Sequence, residues 1–346
     1  MKKTMIATAV AAAFALPMAA QAEVTVYGKA HNYIVSVDAT GNGTTDNTVT
    51  TAEAWMVRNS SRIGFKGSED LGGGLHAIWK YEMSYDTDEA GGMGGGRNSY
   101  VGLAGSFGTF LVGRHDTPYK MAWYAGGMDH GDNYSIADTN GTGAGGDDVG
   151  QSHFDETRAN NAIVYVSPDM SGIKAAAAVI PGEDTANDHS SLADTYSLGL
   201  MYAGGGLKLG AGFEKGEFGG AQALAAPDER RWHLTGSYTY NNFSLGASYA
   251  DVKDDNNVSG DEKTSFGLSG QVKFSGKNTI GVNWRNSDLK GTTEGEVDSW
   301  GLFIAHAMSK RTSVYAAVGQ HTYEEDNNSN ADQETNEYGV GLYHSF

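Results

Sequence analysis

The sequence predicts an all-β protein: a transmembrane 16-stranded antiparallel β-barrel with one very long third loop. Three observations carry that expectation. From Glu23 to Phe346 the polarity of the chain alternates with a period of two, not 3.6. Connections between the alternating segments are short and long by turns. The chain also ends on a strand-like segment, Glu337–Phe346, whose last residue is aromatic.

Composition sets the outer bounds. The chain has 346 residues, with 49 glycines, 5 prolines and no cysteine, so neither a collagen-like chain nor a disulfide-stapled domain is available. Acids outnumber bases 42 to 24, a formal charge of −18, which excludes coating of nucleic acid as a primary role. Mean hydropathy is −0.41, and no segment after the N-terminus approaches the ~18–20 apolar residues of a spanning helix.

Residues 1–22 read as a cleaved secretory signal peptide. Lys2 and Lys3 precede an apolar stretch from Met5 to Ala20, and Ala20-Gln21-Ala22 fits the small-x-small cleavage rule. Losing two lysines takes the formal charge from −18 to −20. An exported chain without cysteine points to a Gram-negative bacterium and a large hydrogen-bonded scaffold. The barrel is assigned to 23–346.

The first strands set the pattern. Thr25, Tyr27, Lys29 and His31 alternate with Val24, Val26, Gly28 and Ala30; Arg58, Ser60, Arg62 and Lys66 alternate with Val57, Ser61, Ile63 and Phe65. His76, Lys80 and Glu82 alternate with Leu75, Ala77, Trp79, Tyr81 and Met83. Charge on one parity beside large aromatics on the other, in segments of about ten residues, is the pattern of tilted spanning strands. Short turns fall at Asp70–Gly74, Gly105–Gly108, Pro168–Gly172, Gly204–Gly206, Asn241–Asn242, Ser275–Asn278 and Ser309–Arg311. Long loops fall at Asp38–Thr51, Asp86–Gly96, Asp116–Glu156, Pro181–Ala193, Gly216–Glu229, Val252–Glu262, Ser287–Glu296 and Tyr323–Gln333. Seven turns and eight loops join sixteen strands.

The residues then resemble a known family. Ser61-Arg62-Ile63-Gly64-Phe65-Lys66-Gly67-Ser68-Glu69-Asp70-Leu71-Gly72-Gly73-Gly74-Leu75 is similar to the second-strand and first-turn signature of general, non-specific Gram-negative outer-membrane porins. Ala77 to Glu82, Tyr100 to Leu103, Gly105 to Thr109, Val112 to Tyr119 and Arg158 to Pro168 extend the resemblance, and Phe346 completes it. It implies a homotrimeric diffusion channel in the outer membrane, with its long third loop folded into the pore and its outer face in contact with lipid and lipopolysaccharide. It further implies insertion by the barrel assembly machinery, with Phe346 as part of the assembly signal.

The loop Asp116–Glu156 is about 40 residues long, well beyond an ordinary structureless connection. It carries eight acids, among them Asp116, Asp129 and Asp132, against the single base Lys120. The lumen-facing parity of the early strands supplies Lys29, Arg58, Arg62, Lys80, Arg97 and Arg158, with Arg114 where the loop begins. The resemblance implies a basic wall facing loop acids across the constriction, with Arg62, Arg97 and Arg158 as its leading members and Lys29 next. The loop has Gly126-Gly127-Met128-Asp129-His130-Gly131-Asp132 where enteric members carry Pro-Glu-Phe-Gly, so which acid faces the pore is open. Asp129 and Asp132 flank the glycine-rich bend and are the chosen candidates. With the acidic outer loops they lead to an expectation of mild cation preference.

No enzyme chemistry is visible. The ten histidines are scattered singly, and there is no HExxH or G-x-S-x-G. Gly270 to Asn278 misses a phosphate-binding loop, and Asp255 to Phe266 misses a calcium loop by lacking Glu at its twelfth position. No cofactor or resident metal is expected, with weak calcium binding by the acidic loops as an alternative. The competing functions are a substrate-selective porin, which needs a binding track such as stacked aromatics, and an outer-membrane barrel with an enzymatic or adhesive role.

Overall fold

The structure, a computed structural model, describes residues 23–42, 49–88, 92–128, 158–182, 191–217, 228–254, 262–291, 294–326 and 332–346. The predicted signal peptide lies outside them. Seventeen strand segments run in order: β1 (Glu23–Asn42), β2 (Val49–Asn59), β3 (Arg62–Gly72), β4 (Leu75–Tyr85), β5 (Met93–Gly105) and β6 (Gly108–Asp116). They continue as β7 (Arg158–Val166), β8 (Ile173–Ile180), β9 (Thr195–Gly204), β10 (Leu207–Glu217), β11 (Asp228–Tyr240) and β12 (Phe243–Asp254). The last are β13 (Glu262–Phe274), β14 (Asn278–Lys290), β15 (Gly295–Ala307), β16 (Thr312–Glu325) and β17 (Gln333–Ser345).

Seventeen segments make sixteen barrel strands. The long β1 pairs Asn32 with Asn59 of β2 and Lys29 with Arg62 of β3 in one unbroken register. Ser60 N–H still donates to His31 O across the break, at 2.9 Å, so β2 and β3 are one strand interrupted at Ser60–Ser61. Every sequence neighbour pairs antiparallel, and β17 returns to β1 through thirteen partners from Lys29↔Ser345 to Gly41↔Gln333. No sheet edge is left open, which a spanning sheet requires because lipid offers no hydrogen bonds.

All seven predicted turns join consecutive strands. Asn241 and Ser275 sit at φ 51 and 50, the left-handed conformation that tight turns demand. On the other rim the strands outrun the sequence pattern: β1 reaches Asn42 and β14 reaches Lys290, inside segments read as loop. Backbone pairing continues beyond the membrane, but polarity stops alternating once both faces meet water, so the pattern ends before the ladder does.

The outward parity forms the lipid-facing band. Phe243, Leu245, Val26, Leu200 and Val340 are all more than half exposed, and Trp55 meets Tyr338 edge-on with ring centroids 5.5 Å apart. The inward parity is not uniformly polar. Tyr33, Val35 and Val37 pack with Phe303, Ala305 and Tyr315 on the inner wall of β1, β15 and β16.

One helix, α1 (Pro118–Ala125), opens the third long loop. Thr117 caps it, with its hydroxyl accepting the Lys120 N–H at 3.4 Å, and Pro118 stands in the first turn where it loses no hydrogen bond. Gly126 and Gly127, the latter at φ 70, end it. The helix packs inside the barrel against β9, β10 and β11. Room comes from inward glycines: a Cβ on Gly199 would fall on the Pro118 carbonyl, and one on Gly210 on the Ala122 carbonyl.

Candidate functional site

The inner face of β1, β3, β4 and β5 carries the expected bases. Glu82 lies among them: Arg97 Nε donates to Oε1 at 2.7 Å, Lys80 Nζ is 3.1 Å from Oε2, and the Tyr27 hydroxyl donates to Oε2 at 2.7 Å. The ammonium groups of Lys66 and Lys80 lie 5.3 and 5.5 Å from the centre of the Tyr27 ring. Lys29 stands directly across the ladder from Arg62, and Lys66 directly across from Lys80. Like charges directly opposite each other destabilise a sheet. Two such pairs on one lumenal face build a field at some expense in stability, and Glu82 is a described carboxylate bonded to that face.

Two strands bulge beside this wall. β5 gains one residue between the Tyr81 and Met83 pairings, next to Arg97, and another between the Met83 and Ser84 pairings; β7 gains one between the pairings of Gly113 and His115, with Asn161 at φ 54. Arg158, beyond the β7 bulge, binds Asp116 at 2.8 Å and donates from Nε to Asn98 Oδ1 at 3.0 Å. Asn98 also receives the Asp116 N–H and donates to its carboxylate, while Lys120 is 3.7 Å away. Asp116 is thus the root of the loop, its charge held by an arginine and a lysine.

Arg114 departs from the expectation. It pairs with Ser99, on the strand face that carries the lipid-exposed Val101 and Val112, and donates to the Gly96 carbonyl and the Asn160 side chain. It follows Phe110 and Val112 on the outward parity of β6, which its place where the loop begins does not reveal. Arg58 keeps the inward parity, opposite Tyr33, with Nε 3.0 Å from Met56 Sδ. Asp129 and Asp132 lie outside the described residues.

The facing wall contains groups that the sequence reading did not select. Glu214 and Arg231, directly opposite on β10 and β11, form a fully buried pair at 3.1 Å, and the Arg231 guanidinium lies 5.3 Å from the Tyr119 ring centre. His233 Nε2 is 2.8 Å from the Tyr119 carbonyl, and Tyr119 N–H donates to Ser197 Oγ at 2.9 Å. The signal was present as inward-parity charge, but only the cross-strand register reveals a pair. Replacing Arg231 with Met should destabilise the barrel by about 3–5 kcal/mol, because Glu214 stays buried without its cation. Changing both to Met should recover most of that loss, read as the temperature at which the folded barrel unfolds on unheated-versus-heated gels.

Among the described residues no three metal-ligating side chains cluster, and no helix is long and apolar enough to cross a membrane. Residues 7–328 match the family model described as Gram-negative porin. The chain belongs to that family. A similar porin is the major outer membrane protein P.IB of Neisseria meningitidis serogroup B, 29% identical over 358 residues and covering 100% of both chains. Outer membrane porin protein 32 of Delftia acidovorans is 30% identical over 326 residues, covering 91% of this chain and 88% of its own. Among solved structures, an anion-selective porin from Comamonas acidovorans superposes with a TM-score of 0.70 at 20% identity, over 94% of this chain and 100% of its own. The porin is therefore an outer-membrane barrel of a Gram-negative bacterium, and its relatives are channels rather than enzymes.

Proposed function

We propose that this porin is a homotrimeric, water-filled diffusion channel for small hydrophilic solutes, with a constriction that favours small anions. The observation that carries the selectivity is the pair of like-charge ladders, Lys29 opposite Arg62 and Lys66 opposite Lys80. The described carboxylates nearby, Glu82 and Asp116, each sit between two bases. Cation preference stands on Asp129, Asp132 and the acidic outer loops. Loop charges at the rim are screened within roughly 8–10 Å at physiological salt, whereas charges on the pore wall are screened less. The wall is the stronger influence in this reading, and the anion-selective structural relative agrees with it. The trimer draws support from a solved trimer form of OmpT of Vibrio cholerae, TM-score 0.60 at 17% identity. On the same reading, residues 1–22 are removed at export, the barrel assembly machinery inserts the chain, and lipopolysaccharide surrounds it. No cofactor is needed.

Recording in planar bilayers across a potassium chloride gradient tests the proposal. Closure in three equal steps and a reversal potential of anion sign are expected. Lys66→Glu should move that potential toward cations. A cation-selective channel that loses its preference when Asp129 and Asp132 are both changed to Asn would overturn the anion reading.

A further inference from the structure

His233 is wholly buried in β11, beneath the helix that narrows the lumen. Its ring is wedged between two side chains of α1, edge-on to Tyr119 at 4.4 Å and 82° and to Trp123 at 5.5 Å and 84°. Across the ladder Gly212 leaves the space that the imidazole fills; a Cβ there would fall on it. The Tyr119 carbonyl has no proton to give, so the 2.8 Å contact makes Nε2 the donor and leaves Nδ1 with the lone pair. Nδ1 is itself buried with no hydrogen-bond partner.

The charged groups around it offer a second proton no acceptor. On β11 itself the neighbour on this face is Arg231, a cation, paired to Glu214 of β10. From α1 the ionisable groups are Tyr119, whose ring lies under Arg231, Lys120, near Asp116, and Tyr124, whose ring lies under Lys120. β12 presents Ala250 directly opposite His233, and β9 presents Ser197, which receives the Tyr119 N–H.

We propose that His233 is a positioning residue for the constriction: it holds α1 to the barrel wall while singly protonated, and its protonation releases the helix into the lumen. The inference rests on the diffusion-channel reading and adds regulation to it. With α1 docked, a proton at Nδ1 is buried without a partner, a costly arrangement. With α1 released, both ring nitrogens of the imidazolium reach water. Protons therefore bind the released state better, and acid shifts the population toward it. The wall behind α1 is a continuous sheet, so the helix moves toward the pore axis and narrows it.

Single-channel conductance measured from about pH 7.5 to about pH 4.5 tests this, across the range in which histidines titrate. Occupancy of the fully open level should fall by roughly half or more as pH drops, and recover on return. Carboxylates elsewhere in the chain also gain protons toward the acid end, so variants isolate the histidine. His233→Gln can still donate to the Tyr119 carbonyl but does not titrate, and it should conduct like the parent at neutral pH with the acid response lost. His233→Phe fills the same space between the rings and should be equally insensitive; it decides the matter should the glutamine variant fail to assemble. A parent channel that conducts without response to pH overturns the latch and leaves the diffusion reading intact. Variants that follow the parent's acid profile overturn it as well. Absence of any conductance at neutral pH overturns the diffusion reading, and the latch with it.

Discussion

Gly210→Val closes the pore partway. The inward face of β10 approaches α1 so closely that a Cβ on Gly210 would coincide with the Ala122 carbonyl and crowd the Thr235 hydroxyl. Both obstacles are firm: one is helix backbone, and Thr235 Oγ1 is tied to Gly210 O at 3.3 Å. The sheet cannot retreat, because β10 is paired along its length with β9 and β11. The helix must therefore leave the wall, at about 1–3 kcal/mol of overpacking cost, and the side away from the wall is the lumen. Lower and noisier single-channel conductance, with a barrel that still resists detergent until heated, is the expected result. Gly205→Val is the control: that glycine lies in the β9–β10 turn at φ 58 with nothing near its missing Cβ, so the variant strains a turn without touching α1. Equal conductance in the Gly210 variant and the parent would show that α1 does not set the aperture.

Gly210 also marks where the sequence stops being readable. The strands are legible because each one must present lipid-compatible side chains to one side and polar ones to the other, as Leu209 and Gly210 still do. The turns are legible because Asn241, Ser275 and the glycines beside them take backbone conformations that few residues accept. What a glycine on the inward face makes room for is not written in its own strand. The partner is α1, more than eighty residues earlier, and only the folded register brings Gly199 and Gly210 beneath it.

The same limit governs the charges. The sequence reading takes most of its basic wall from parity and Arg114 from its place where the loop begins. On β6 Arg114 shares the outward parity of Phe110 and Val112 and stands opposite Ser99. Glu82 was visible as one more inward charge, but its three partners, on β1, β4 and β5, were not. Glu214, Arg231 and His233 were passed over altogether. Of the loop's acids Asp116 anchors its root, and the helix that follows docks through rings, backbone and an imidazole.

Deleting Phe346 should sharply lower the amount of assembled barrel, and one reason is geometric. The barrel closes where β17 meets β1, and the last two bonds of that seam belong to the terminal residue. Gly28 N–H donates to Phe346 O and Phe346 N–H donates to Gly28 O, each at 3.1 Å. The ring lies over Gly28 so closely that a Cβ there would meet it at 2.6 Å. It is 42% exposed, on the same outward parity as Leu342. The deletion removes two hydrogen bonds, the ring and the terminal aromatic together, so variants must separate them. Phe346→Ala keeps the backbone bonds and loses the ring; Phe346→Tyr keeps both. If the ring is the assembly signal, the alanine variant should fail nearly as badly as the deletion, and tyrosine should restore assembly. The readout is the heat-modifiable barrel recovered from outer membranes, compared with chain degraded in the periplasm. Gly28→Val tests the seam from the other side, since its side chain competes for the space of the ring while the terminal residue is unchanged. Undiminished surface levels after deletion would mean that the β1–β17 ladder from Lys29 onward suffices to close the barrel.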